Sequence, residues 1–284
     1  MTTYKIIFRE FLNDRLAVAG LAIIVFLLLT AVFSPFLAPD KNAVFDINPR
    51  EKLKAPSWVH PFGTDQMGRD ILSRVIFGTR VTVVIALIAV GSALLIGVPI
   101  GLVAGYYENW LSGFLMRISD IFLSFPQFVL AMALAVALGP NIKNAILALS
   151  ITYWPWFSRI VYAETQFIKH SMFVEATEAL GANKFRILAF HILPNVLSPI
   201  IVRATIGMGY TILTAATLGF LGVGAQPPTP EWGLAISESR EYLPGAWWFA
   251  LFPGMAIFVV VMAFNMFGDG LRDVLDPRLR ISGK

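Results

Sequence analysis

Residues 164–195 read ETQFIKHSMFVEATEALGANKFRILAFHILPN. This polar segment lies between two long apolar runs, 145–161 and 196–221, and it is patterned. Phe173, Val174, Ala176, Thr177 and Leu180, then Phe185, Ile187 and Leu188, form two short amphipathic stretches at helical spacing. Gly181 stands where a helix would end, and Pro194 marks entry into the next apolar run. Ala176, Ala179 and Ala182 are small, so a partner backbone can approach closely. Such a helix either lies on lipid headgroups or docks a protein. Glu175 and Glu178 would be repelled by anionic lipid, which favours docking. A short rigid helix tethered to a span at each end is suited to transmitting a push.

Working outward, the 284-residue chain is 57% hydrophobic and only 14% charged, against about 25% charged in soluble domains. That leaves too little polar surface to coat a water-soluble fold. A hydrocarbon core about 30 Å thick takes about 20 apolar helical residues per crossing. Six runs serve, at 16–33, 81–104, 121–138, 145–161, 196–221 and 247–267. The expectation is an all-α membrane protein with six transmembrane helices. Residues 1–80 would hold an N-terminal tail, the first span and a long extracytoplasmic loop. Residues 81–268 would form the core domain around the loop 164–195, and 269–284 a cytoplasmic tail. The first run follows Lys5, Arg9 and Arg15 but lacks a small-x-small cleavage site after it, which reads as an uncleaved span. Ile71, Leu72, Val75 and Ile76 predict a helix that starts in the interface before the second run. Pro99, Pro126, Pro155 and Pro253 fall inside spans, with Pro199 near the start of the fifth, so bent helices are expected. Lys and Arg placement puts both termini in the cytoplasm. The loop 34–80 dissents with seven basic residues, partly offset by Asp40, Asp46, Glu51, Asp65 and Asp70.

The chain carries no catalytic constellation. It has no H-E-x-x-H, no G-x-S-x-G and no G-x-x-x-x-G-K-[ST] phosphate loop, and His60, His170 and His191 are not at metal-ligand spacing. With no cysteine there is no disulfide or thiolate chemistry, and a net charge of +4 without a basic block does not fit nucleic acid. Asp120, Glu164 and Asp269 sit at span ends, where an interfacial role is expected rather than an ion relay. Arg203 lies inside the fifth span and is expected to snorkel to the cytoplasmic edge. A conduit of kinked helices with no motor and no coupling acids must take its energy from a partner on the inner loop.

Glu175-Ala176-Thr177, then Gly181, then Leu193-Pro194 resembles the E-A-A-x-x-x-G…L-P loop of ABC-importer permease subunits, departing from it at Thr177 and His191. His60-Pro61-Phe62-Gly63-Thr64-Asp65-Gln66-Met67-Gly68-Arg69-Asp70 is similar to a segment of dipeptide, oligopeptide and nickel permeases of the C type. So are Gly219-Phe220-Leu221-Gly222, Gln226-Pro227-Pro228-Thr229-Pro230-Glu231-Trp232-Gly233, and the tail Asp269-Gly270-Leu271-Arg272-Asp273 to Asp276-Pro277-Arg278. The resemblance implies a type I importer of MetI-like architecture with cytoplasmic coupling helices. Partners would be a second homologous permease chain, two ATP-binding subunits holding ATP and Mg, an extracytoplasmic binding protein and membrane lipid. This chain itself would hold no cofactor or metal. Glu175, Ala176, Gly181, Ala182 and Arg186 would lie at the ATPase contact, with Phe173, Ala179, Phe185, Leu193 and Pro194 completing it. The implied cargo is a di- or oligopeptide, with nickel or another small solute as the alternative; outside this family the rival is a secondary carrier.

Elementary chemistry says less about the outer motifs. Gly63, Thr64 and Asp65, then Gly68, Arg69 and Asp70, read as turns whose acids cap the following helix or else touch substrate. Pro227-Pro228-Thr229-Pro230 reads as a stiff extended loop. Trp232, Trp247 and Trp248 suit the outer interface, and this loop either meets the binding protein or anchors in the membrane.

Overall fold

A computed structural model describes residues 9–38 and 44–275; Lys5, Asp40 and the tail from Asp276, with Pro277 and Arg278, lie outside the described residues. Those described are helical with no strand, apart from an isolated bridge between Thr64 and Asp70. In chain order the helices are α1 (Arg15–Leu37), α2 (Ile71–Tyr107), α3 (Trp110–Ser124), α4 (Gln127–Leu138), α5 (Ile142–Lys169), α6 (Met172–Ala179), α7 (Lys184–Phe220), α8 (Trp232–Ser239) and α9 (Trp247–Leu275).

Side chains start most of them. Asp14 accepts the Leu16 and Ala17 amides ahead of α1, Asn109 caps α3, and Asn141 caps α5, each satisfying a first-turn donor that has no partner within its own helix. Asp70 caps α2 by accepting the Ser73 amide at 2.8 Å, so the second helix begins at Ile71 as its apolar stripe predicts.

Length and apolarity together select α1, α2, α7 and α9 as crossings, and a fifth if α3 and α4 are one bent span. α5 is 28 residues long, enough to cross, but less apolar, and the count of six turns on it. The third expected span is not a continuous helix: α3 and α4 meet at 89° across Phe125-Pro126. Proline offers no amide and pushes the residue before it out of helical geometry, and Phe125 is extended here at φ −91°, ψ 142°. Pro194 does not open the fifth span either. α7 starts ten residues earlier and passes through a wider, π-helical stretch, Ile187–Ile192, just before the proline. Such a bulge spares the proline its clash with the preceding turn. At the far end α9 runs through Asp269-Gly270-Leu271-Arg272-Asp273 to Leu275, where the sequence placed a tail. Gly270 seats on Ala17 of α1, where a Cβ would come within 2.2 Å of the Ala17 Cβ.

The most extensive helix pairing is α2 on α5. Ala89, Ala93, Gly97, Gly101 and Gly105 recur every fourth residue along α2, giving one face with almost no side chain. A Cβ on Gly97 would lie 2.4 Å from the Trp154 carbonyl, and one on Gly101 2.6 Å from the Ser158 carbonyl. Lipid tails solvate apolar side chains as well as other helices do, so association in a bilayer relies on such close backbone approach. A hydrogen bond of 2.9 Å between Ser119 and Ser158 ties α3 to α5 beside this contact.

Candidate functional site

The loop 164–195 folds as α6 followed by a tight turn into α7. Leu180 ends α6, Gly181 adopts φ +82°, the Ala182 amide bonds to the Thr177 carbonyl and the Gly181 amide to the Glu178 carbonyl. This pattern closes a helix on a left-handed residue, which glycine adopts without a Cβ penalty. Asn183 then caps α7 by accepting the Arg186 amide at 2.7 Å. Of the two departures from the EAA pattern, Thr177 returns its hydroxyl to the Phe173 carbonyl at 2.7 Å and stays half-buried, and His191 lies within the π-helical stretch.

One side of α6 is anchored and the other is bare. Val174 is buried with Tyr106, Val161, Ile187, Ile192 and Val196, and Ala182 and Leu193 pack against that cluster. Phe173, Glu175, Ala176, Ala179, Gly181, Phe185 and Arg186 are exposed, as is Pro194 further along α7. So are Met172 and Leu180, at 87% and 88% exposure. No other described residue of this chain covers these large apolar side chains.

The end of α2 supports this loop, a role the sequence did not disclose. Tyr106 meets Glu178 at 3.5 Å, Glu108 pairs with Lys169 at 3.4 Å, and Lys169 and Lys184 lie over the Tyr106 and Tyr107 rings. Glu108 turns the chain at φ +37°. Adjacent aromatic and acidic residues after the glycine ladder are the only signal for it, and they become meaningful once Lys169 and Lys184 are known to be near.

The outer motif lies at the other end of α2. Asp65 is fully buried and caps no helix: one oxygen accepts the Met67 and Arg69 amides, and the other meets Arg69 Nε at 2.6 Å and Arg74 Nε at 3.6 Å. Arg69 reaches Glu238 of α8 at 3.5 Å, and Arg74 donates to the carbonyls of Val44, Pro228 and Thr229. Asp70, besides capping α2, faces His60 Nδ1 at 3.0 Å. Gly63 and Gly68 hold φ of +73° and +76°, and a Cβ on Gly68 would strike the Asn48 carbonyl. Thr64 bonds through its backbone and hydroxyl to Lys54. These residues form a lock joining the outer loop, the proline loop and α8.

Two of the tryptophans are core residues rather than interfacial ones. Trp232 is buried, fills the space over Gly78 and donates to the Val75 carbonyl at 3.0 Å; Trp248 is buried and donates to the Thr64 carbonyl at 3.3 Å. Each indole N–H finds a protein acceptor, so neither needs the headgroup region. Only Trp247 is half exposed. Glu231 caps α8 through the Gly233 and Leu234 amides while buried against Gly219. Burial pushes its carboxyl up to about 7, against the pull of those amides and that of Trp232. Arg203 lies against aromatic rings: its guanidinium is 4.4 Å from the Trp156 ring centre and 5.6 Å from that of Tyr153.

The pattern of the family described as "Binding-protein-dependent transport system inner membrane component" matches residues 97–281, and that of the N-terminal TM domain of oligopeptide transport permease C matches residues 2–56. Similar curated proteins include the dipeptide transport system permease protein DppC of Alkalihalophilus pseudofirmus, 45% identical over 96% of this chain and 89% of that one. The probable D,D-dipeptide transport system permease protein DdpC of Escherichia coli is 43% identical over 94% and 89%. The glutathione transport system permease protein GsiD of Pectobacterium atrosepticum is 40% identical over 98% and 92%. Among solved structures, an inward-facing form of the MetNI methionine ABC transporter matches with a TM-score of 0.58 over 72% of this chain and 98% of that one at 19% identity, a likeness of fold. The chain thus belongs to the inner-membrane components of binding-protein-dependent transport systems and is a multi-pass ABC-importer permease.

Proposed function

We propose that this permease conducts di- or oligopeptides inward as one half of a pore completed by a second, homologous permease chain, with α6 as the handle gripped by one of two separate ATP-binding subunits. The observation that carries the reading is the two-sided α6. Val174 fastens it to the membrane domain while Met172, Phe173, Ala176, Ala179 and Leu180 stand free. The names of the similar permeases, with dipeptide, D,D-dipeptide and glutathione among them, support the peptide cargo. In this reading ATP and Mg reside in the partner subunits, this chain is non-catalytic, both termini face the cytoplasm, and an extracytoplasmic binding protein delivers cargo to the opposite side.

The test places a charge on the handle. In Ala176→Arg, a long cation stands where a partner backbone would approach, while Val174 and the cluster behind it are untouched. Uptake by the reconstituted complex and its transport-stimulated ATP hydrolysis are both expected to fall at least tenfold, with the two permease chains still co-purifying. Normal uptake by this variant overturns the assignment.

A further inference from the structure

An arginine inside a membrane protein is costly to bury and normally has a partner. Among the described residues, the buried Arg69 and Arg74 both face Asp65. Arg203 has no carboxylate: its Nε is buried without a hydrogen-bond partner, and its guanidinium rests between aromatic rings. Trp156 is residue 15 of the 28 in α5, about 20 Å from either helix end at 1.5 Å per residue. The cation therefore stands beside the middle of α5.

Its surroundings do not suit hydrocarbon. Trp156 donates to Gln127 at 3.1 Å, and Arg159, one turn along α5, pairs with Asp120 of α3. Tyr210, one further ring, stacks on Tyr153 at 6.5 Å. Trp156 and Gln127 also line a pocket of about 270 Å³ at the α3–α4 break, together with Ser124, Phe125, Pro126 and Thr152. α4 starts at that break with no side chain capping its first turn. The N-terminal end of a helix carries partial positive charge, and interrupted helices at mid-membrane turn such ends toward anionic cargo. Trp156 thus links two features, a guanidinium without a carboxylate partner over its ring and, through its indole N–H, Gln127 at the uncapped start of α4. The guanidinium and the helix start favour an anion, the rings hold the guanidinium in place, and a planar guanidinium matches a carboxylate with two parallel hydrogen bonds.

We propose that Arg203, stacked on Trp156, is a carboxylate-binding station in the translocation pathway, which a peptide engages through its free carboxyl group as it passes. The station lies in water-accessible space, and Arg203 discriminates cargo by charge. The inference rests on the peptide reading given above and adds a residue and a recognised group to it.

The test uses the complete transporter in proteoliposomes and a dipeptide either as the free acid or as its C-terminal amide. In Arg203→Gln, the ratio of acid to amide uptake is expected to fall at least tenfold; in Arg203→Lys, which keeps the charge, it stays within about threefold of the parent. An unchanged ratio in Arg203→Gln overturns the station. If that variant fails to assemble, Trp156→Ala decides, since it removes the ring on which the guanidinium rests and an unchanged acid-to-amide ratio there also overturns the station. A second arm exploits the absence of cysteine in this chain. The R203C variant should react with a membrane-impermeant cationic thiol reagent at least tenfold faster than F26C on the exposed face of α1, and equal rates overturn the pathway placement. Should the parent complex import neither acid nor amide, the peptide reading fails and the labelling arm still decides whether Arg203 faces the pathway.

Discussion

Asp65 holds two guanidinium groups where water cannot reach them. Removing one member of such a group strands the others, at a cost of about 3–5 kcal/mol. Asp65→Ala should therefore abolish accumulation of folded protein in the membrane, whereas Glu51→Gln, in an exposed pair with Lys54, should change little. Equal yields from the two variants would contradict the lock. Glu231 gives a pH signature of the opposite sign to an ordinary paired acid. Its carboxyl titrates at about 7 in the fold against 4.5 ordinarily. The fold thus binds a proton more tightly than the unfolded chain does, so this contribution is full below pH 4.5 and is lost as pH rises through about 7. The thermal midpoint of the purified protein should drop between pH 5 and 8, and Glu231→Gln should flatten that drop. An equally steep decline in the variant would place the titrating group elsewhere.

Helices depend on how near one can come to the next, and α2 gives the clearest case. Gly101→Ala sets a Cβ 2.6 Å from the Ser158 carbonyl and forces α2 off α5, whereas Gly91→Ala meets nothing within 4 Å. Overpacking of this kind costs about 1–3 kcal/mol. Heating in detergent should separate the two, with Gly101→Ala melting lower and Gly91→Ala unchanged or slightly higher through better helix propensity. The four-residue spacing of this ladder was visible in the sequence, but the face it packs against was not. Much else at this scale was legible because its cause is local. Asp70 caps the helix that follows it, Gly181 ends α6, and proline bends the third span at Pro126. What could not be read depended on residues far apart in the chain. The Trp232 and Trp248 indoles reach acceptors 157 and 184 residues away, so a local reading sent both to the headgroup region. Asp65 reads locally as a cap because its partner Arg74 lies in α2, and Arg69, its other partner, is also held by Glu238 of α8. The rings beside Arg203 are likewise not legible locally, because Trp156 and Tyr153 belong to a different helix.

Across the whole molecule α2 is a strut about 55 Å long, with the Asp65 lock at its Ile71 end and the α6 support at Tyr106, Tyr107 and Glu108. Its glycine face ties that strut to α5, which leads directly into α6. In the proposed coupling, a push on α6 would enter α5 and α2 together. The same geometry bears on the excess of basic residues in the loop 34–80. Arg69 and Arg74 face Asp65 and Glu238, and Lys54 pairs with Glu51. Charges locked in folded pairs are poor guides to which side a loop occupies, because the orientation rule reflects free Lys and Arg in short flanks. Trp58, on the segment between Lys54 and His60 near the lock, is fully exposed, and Leu180 at the opposite end is nearly so. With no native cysteine in the chain, W58C and L180C can be labelled one at a time. In intact spheroplasts an impermeant thiol reagent should modify W58C and leave L180C untouched; in inside-out vesicles the pattern should reverse. Labelling of L180C from outside would invert the proposed orientation and separate α6 from any cytoplasmic ATPase. Labelling of both from one side would mean that α2 does not cross the membrane, and the strut would then have no two compartments to connect.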